Sequence, residues 1–200
     1  MATATPTLRE ARGAETRQRI IEAAWNVIAE RGLAALTTRL VAREAGISHG
    51  MCHYHFETKD DLVLAVVDQA RRYWIMPMEE LVAGKGPAAD RLERVIVWMA
   101  EPATREVMRV HLQLMAHAEW NDRLRERMAA EYARWHEAYV RLFRELHAEG
   151  VLRPDADARA VGIAFATLAD ALVDQRSLDP SLDTEAIMRA LLEPLMAERS

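Results

Sequence analysis

Between positions 49 and 55 stand His49, Cys52, His53 and His55, side chains of the kinds that hold metal ions. On a helix His49 and His53 share a face at a spacing of four, and Cys52 and His55 at a spacing of three. Cys52 must turn toward the core of its small domain, and no second ligand pair follows at a recognisable spacing, so neither a metal nor a cofactor is expected. The same stretch reads better as a recognition surface. Ser48 can cap a short helix whose first residues, His49, Gly50 and Met51, face outward together. In a DNA major groove Ser48 and His49 would meet base edges, Gly50 would let the backbone come close, and Met51 would pack on a thymine methyl group. His53, Tyr54 and Lys59 are then placed for phosphates. So are Thr37, Thr38 and Arg39 at the start of the preceding helix, where free N–H groups favour anions.

A second set of residues could take up a small molecule. Met128, Tyr132, Trp135, Tyr139, Leu142 and Leu146 recur every three or four positions. Such a stripe is ordinarily core, and the sharper reading is that part of it lines a cavity. Trp74, Trp98, Met108, His111, Met115 and Trp120 lie on the neighbouring helical segments. Adaptable Met side chains and the π faces of Trp suit a pocket for apolar or cationic ligands. Thr167, Asp170 and Asp174 form a polar row on an otherwise apolar helix. Because a buried unpaired carboxylate is costly, that row is expected to be exposed, with Asp170 as a ligand counter-charge the alternative. Nothing speaks for catalysis: GKGP lacks the spacing of a phosphate-binding loop, and neither a G-x-S-x-G elbow nor an HExxH pair occurs.

These residues need helices to position them. Residues 15–31 place Ile20, Ala24, Val27 and Ile28 on one apolar face, and Gly32 ends the helix. Thr37 caps a short second helix with Val41 and Ala45 inward, Gly46 makes the turn, Ser48 caps the third helix, and Phe56 closes the small core. A fourth helix is expected over about 58–81, with Pro77 as a kink or break. Further helices follow at about 88–100, 105–117, 121–148 and 156–175, with a last one from Thr184. Residues 1–14 read as a disordered arm by composition, and no strand is expected.

The 200 residues are 50% hydrophobic and 28% charged, enough for one large or two small cores in an all-α fold. No apolar run approaches the roughly 20 residues that span a bilayer, so no membrane is expected as a partner. With no hydrophobic signal core and one cysteine, the chain is expected to be cytoplasmic. Net charge is −5, unevenly spread: residues 1–60 carry eight Lys and Arg against seven Asp and Glu, and the rest carry 18 against 24. Phosphate neutralisation is local, so an acidic second half is compatible with DNA binding.

The segment GISHGMCHYHFETKDDL, preceded by the helix TRQRIIEAAWNVIAERG, resembles the signature of TetR-type (tetracycline-repressor-like) transcriptional regulators. Gly46, Ser48, Gly50, Tyr54, His55, Phe56, Lys59 and Leu62 carry the match, which covers about residues 16–62. Cys52 stands where the family has a bulky apolar residue, and His53 where it has Tyr. The later run HLQLMAHAEWNDRLRERMAAEYARWHEAYVRLFRELHAEGVL and FATLADALVDQRSLDPSLD are similar to the choline-responsive, BetI-like branch.

The resemblance implies an N-terminal three-helix helix-turn-helix domain over residues 15–60. A helical domain over 61–200 would bind an inducer and dimerise through the last two helices. It implies a homodimeric repressor on an inverted-repeat double-stranded operator, released by an apolar or cationic small molecule, and no enzyme. Ligand would displace the fourth helix and change the separation of the two recognition helices. Some of Trp74, Trp98, Trp120, Tyr132 and Trp135 would then form an aromatic cage for a quaternary ammonium. The rival reading is a small-molecule-binding dimer without productive operator contact.

Overall fold

Thr7 opens the first helix with a reciprocal cap. Its hydroxyl accepts from the Glu10 N–H, and the Glu10 carboxylate accepts from the Thr7 N–H at 2.7 Å. The computed structural model describes residues 7–101 and 104–197. In order they form α1 (Leu8–Arg31), α2 (Thr38–Glu44), α3 (His49–His55), α4 (Lys59–Ala70), α5 (Met76–Val82), α6 (Ala88–Met99), α7 (Thr104–Ala118), α8 (Asp122–Ala148), α9 (Ala158–Leu178) and α10 (Thr184–Leu192). Among the described residues the one β pairing is an isolated antiparallel bridge between Leu152 and Met196. The expected disordered arm is therefore corrected from residue 7 onward, because the Thr7–Glu10 cap extends α1 two turns ahead of residue 15. Residues 1–6 lie outside the described part.

The chain assorts into two packed units, residues 1–70 with 110–127, and residues 71–109 with 128–200. In the first, α1 buries Ile20, Ala24, Val27 and Ile28, and ends at Gly32, whose φ of +86° favours glycine. Thr37 caps α2 by accepting from Leu40 N–H at 3.1 Å, and Ser48 caps α3 by accepting from Met51 N–H at 3.2 Å. Between them Gly46 turns at φ +64°, and Arg19 donates to the Ala45 carbonyl at 2.6 Å, tying α1 to the turn. Cys52 and Phe56 are buried, and the Arg17 guanidinium lies 4.9 Å from the centre of the Phe56 ring.

Later segments of the same unit grip α1 and α4. Gln113 of α7 accepts from Leu33 N–H at 2.6 Å and donates to the Ile28 carbonyl at 3.0 Å, satisfying both sides of the α1 terminus. Asn121 bonds Asp60 at 3.0 Å, Arg123 pairs with Asp61 at 3.2 Å, and Arg127 pairs with Asp68.

In the second unit a π-helical turn, Arg71–Ile75, leads into α5, whose first turn holds Pro77. Pro77 has no N–H for the Tyr73 carbonyl, and the widened turn sits where that bond is missing. The expected break in a helix over 58–81 thus begins six residues before the proline. Arg71 fastens the turn, pairing with the buried Glu131 at 2.9 Å and with Glu79 at 3.2 Å. The core joins α5, α6, α8, α9 and α10 around Met78, Met99, Tyr139, Phe143 and Leu146. Gly162 lets α9 reach the α8 backbone: a Cβ there would lie 3.0 Å from the Val140 Cα.

Candidate DNA-reading helix and ligand-binding cluster

Every side chain expected to read bases or phosphates is on the surface of the first unit or half-exposed there. Ser48, His49, Gly50 and Met51 form the outward start of α3. A Cβ at Gly50 would meet nothing within 4 Å, so packing does not demand glycine at that position. Tyr54 is 80% exposed at the far end of the helix. The His49 and His53 rings stack with centres 6.5 Å apart, and a His49 ring nitrogen shares a 3.1 Å hydrogen bond with the Thr38 hydroxyl. That bond links the first residue of α3 to the first residue of α2.

Thr37, Thr38, His49, His53 and Lys59 surround one open groove of about 410 Å³, with Leu36 as its floor and Glu57 on its rim. The Lys59 ammonium donates to the Leu33 carbonyl at 3.2 Å, which aims it along the groove wall. Free N–H groups at the start of α2, a cation and two imidazoles facing one concavity suit an oxyanion. Arg39 is exposed on α2 but is not among the groove-lining residues. Glu57 was not among the sequence candidates; it lies in the turn before α4, where no period marks it. Metal ligation by the His49–His55 stretch is not set up, since Cys52 is buried with its thiol pKa pushed up by desolvation.

The second unit gathers an aromatic cluster around an acid. Trp74, carried on the π-helical turn, lies 4.7 Å from Trp98 and 5.7 Å from Trp135, ring centre to ring centre. Trp135 meets Tyr139 edge-on at 5.0 Å and donates from its indole N–H to the Ala166 carbonyl at 3.5 Å. One turn along α9 from Ala166, the Asp170 carboxyl takes a hydrogen bond from the Tyr132 hydroxyl. Burial pushes the Asp170 pKa up to about 7; the Tyr132 bond opposes that rise and the nearby Asp174 charge adds to it. Asp174 is also raised by burial, and its Oδ1 is buried with no hydrogen-bond partner. Burial likewise lifts Tyr132 and Tyr139, with the Asp170 charge adding in both cases.

The expected exposed row is thus corrected in part. Thr167 is exposed and bonds back to the Ile163 carbonyl at 2.9 Å, but Asp170 and Asp174 are half-buried, because α9 turns that side onto Tyr132 of α8. Met108 belongs to the same core. Three other candidates fall in the first unit. Trp120 is 89% exposed and Met115 is also exposed, so neither lines an interior site. Trp120 lies past the end of α7 at Ala118, in a turn closed by its own N–H on the His117 carbonyl at 3.1 Å, so the helical period no longer applies to it. His111 is partly buried, and desolvation lowers its pKa to about 4, which keeps it neutral near pH 7.

Comparison with known proteins decides the family. Residues 20–66 match the bacterial regulatory proteins of the tetR family, and residues 88–198 match the C-terminal part of BetI-type transcriptional repressors. The chain belongs to the TetR family, with a BetI-type C-terminal half. It is a ligand-responsive, DNA-binding transcriptional regulator. The HTH-type transcriptional regulator BetI of Brucella suis is 24% identical to it over 183 residues, covering 90% of this chain and 89% of that one. PksA of Bacillus subtilis, another HTH-type regulator, is 22% identical over 178 residues, covering 88% and 86%. A transcriptional regulator from Saccharomonospora viridis, crystallised in complex with choline, superposes with a TM-score of 0.81 at 26% identity, covering 93% of this chain and all of that one. A TetR-family regulator from Rhodococcus sp. gives 0.74 at 25% identity, covering 92% of this chain and 100% of that one. Among the described residues no helix is long and apolar enough to cross a membrane.

Proposed function

We propose that this regulator is a homodimeric repressor that holds an inverted-repeat operator through α3 and leaves it when a small cationic ligand occupies the Trp74–Trp135–Asp170 cluster. The observation that carries the reading is the outward start of α3, where Ser48, His49, Gly50 and Met51 are exposed together while Val41, Ala45, Cys52 and Phe56 are buried behind them. Met51 and Gly50 are the base-contacting pair in this reading. The Thr37–Thr38–His49–His53–Lys59 groove takes a flanking phosphate, with Tyr54 and Arg39 on the backbone to either side.

Dimerisation through α9 and α10 is supported by an apolar groove of about 460 Å³ lined by Val161, Ala164, Leu168 and Leu191 among others. A two-fold axis there would pair four helices and supply the second recognition helix that an inverted repeat needs. A cationic ligand is supported by the π faces and carboxylates of the second unit, and by the choline held in the Saccharomonospora viridis relative.

The test is selection of genomic fragments by the purified, ligand-free protein at moderate salt. Enrichment of one short inverted repeat, bound with a steep salt dependence, is expected. Binding that stays at the nonspecific level at low salt overturns the repressor reading in favour of a sensor without an operator.

A further inference from the structure

Lys59 brings a fixed positive charge to the groove of Thr37, Thr38, His49 and His53, and its ammonium donates to the Leu33 carbonyl at 3.2 Å. Leu33 opens a single 3-10 turn, Leu33–Ala35, between α1 and α2. A turn of three residues has little ladder of its own. The Ala35 N–H reaches the Gly32 carbonyl and the Leu36 N–H reaches the Leu33 carbonyl, both at 3.1 Å. Gln113 of α7 supplies the further grip. Its side-chain oxygen accepts from the Leu33 N–H at 2.6 Å, and its side-chain nitrogen donates to the Ile28 carbonyl at 3.0 Å. Gly32 makes room for it, since a Cβ at that position would lie 3.2 Å from the Gln113 Oε1.

The helix that carries Lys59 is held from the same later segment. Asn121 bonds Asp60 at 3.0 Å, and Arg123 pairs with Asp61 at 3.2 Å. Residues 113, 121 and 123 therefore fix both the base of the lysine stem and the carbonyl that receives its tip. A free lysine loses rotamer freedom when it meets a phosphate. One aimed beforehand has already lost it, so the arrangement adds affinity without a new contact. An ammonium has three N–H donors, and the bond to Leu33 leaves two for phosphate oxygens.

From this chain of bonds we infer that Gln113 is a positioning residue for operator binding: it fixes the Leu33 turn and through it aims Lys59 into the groove. The inference rests on the reading of that groove as a phosphate site. Gln113 contributes no contact to DNA; its carboxamide is engaged by the backbone of residues 28 and 33.

The experiment is a double-mutant cycle on the full-length protein, with the selected operator fragment bound at stepped salt. Lys59→Ala is expected to weaken binding and to make the slope of log affinity against log salt shallower by about one, the mark of a lost phosphate contact. Gln113→Met keeps the side chain's length and removes both bonds. It should weaken binding about threefold or more and move the slope the same way. The double variant should bind within about twofold of Lys59→Ala alone, since Gln113 acts through the lysine. A tie that merely stabilises the fold would leave the slope unchanged or multiply the two losses, and either result overturns the inference. Gln113→Ala is carried alongside, so that the fit of one replacement does not decide the outcome, and thermal melting follows each variant. Failure of both to fold also overturns the inference, because the tie is then structural. If Lys59→Ala binds as the wild type does, the groove takes no phosphate and the inference falls with it, while the base-reading role of α3 stands. If Lys59 matters and the Gln113 variants bind normally, the inference alone falls. With no operator selected the repressor reading falls, and the same cycle is read on a duplex of arbitrary sequence at low salt, where the slope still counts phosphates.

Discussion

Gly50 has open space where a side chain would go, and that separates its role in the fold from its role at a partner surface. Gly50→Ala should keep or raise the melting temperature, since alanine is favoured in a helix by up to about 1 kcal/mol. It should weaken operator binding by obstructing close backbone approach, so melting curves and salt-matched binding isotherms should move in opposite directions. Asp170 and His111 give the regulator two opposed pH dependences. Asp170 titrates near 7 in the fold against an ordinary 3.8, so the folded state holds a proton that the unfolded chain has lost, and stability falls as pH rises from about 4 to 7. His111 titrates near 4 against an ordinary 6.5, so stability falls as pH drops through that window. Asp170→Asn should therefore melt progressively higher than the wild type as pH is raised from 5 to 8, while His111→Gln should flatten the loss between 6.5 and 4. Thermal melts at stepped pH check both signs. At this scale the caps at Thr37 and Ser48 and the turn at Gly46 were legible, because they act through neighbouring backbone. The surroundings of Asp170 were not, since its exposure is decided by Tyr132 on a distant stretch of chain. Trp120 is exposed because it stands two residues past the end of α7, where the helical period no longer sets which way a ring points.

Helix boundaries followed the same division between local and distant causes. Gly32, Thr37, Ser48 and Gly46 delimit α1, α2 and α3 as their chemistry dictates, and the fourth helix starts at the Thr58–Asp61 cap, whose hydroxyl–carboxylate bond is 2.7 Å. The start of α1 was open to reading, because Thr7 and Glu10 have the spacing of a capping box, but the composition around them pointed to disorder. The π-helical turn at Arg71–Ile75 had no such local mark. Pro77 announces a break, yet its position upstream depends on how Trp74 and Ile75 are buried and on where Glu131 holds Arg71. The contact between α8 and α9 is likewise a matter of packing. Gly162→Ala should lower the stability of the second unit by about 1–3 kcal/mol, the usual cost of overpacking, because the new methyl meets backbone rather than a movable side chain. Denaturant titration of the variant checks this, and an unchanged midpoint would mean that α9 shifts without penalty.

For the whole molecule, the helical fold was legible from helical period and cap placement. The grouping of residues 110–127 with the N-terminal helices was not, because Gln113, Asn121, Arg123 and Arg127 are ordinary surface residues until α1 and α4 stand opposite them. Leu191 is 49% exposed on the apolar groove of α10 and α9. If two copies meet there, Leu191→Arg should give a monomer in sedimentation with unchanged helical content, and operator affinity should drop sharply as one half-site is lost. With 24 acidic against 18 basic residues beyond position 60, operator binding is expected to depend on the cations of the helix-turn-helix, and its salt dependence should steepen with each phosphate they neutralise.

The hydrogen bond from the Leu33 amide to Gln113 has a practical meaning for spectroscopy. A short bond to a side-chain oxygen should move that proton downfield and slow its exchange with solvent relative to its neighbours in the same loop. Its protection depends on a residue of α7, not on the regular pattern of a helix. The Leu33 signal therefore reports, from a single assigned resonance, whether residues 110–127 remain seated on the N-terminal helices.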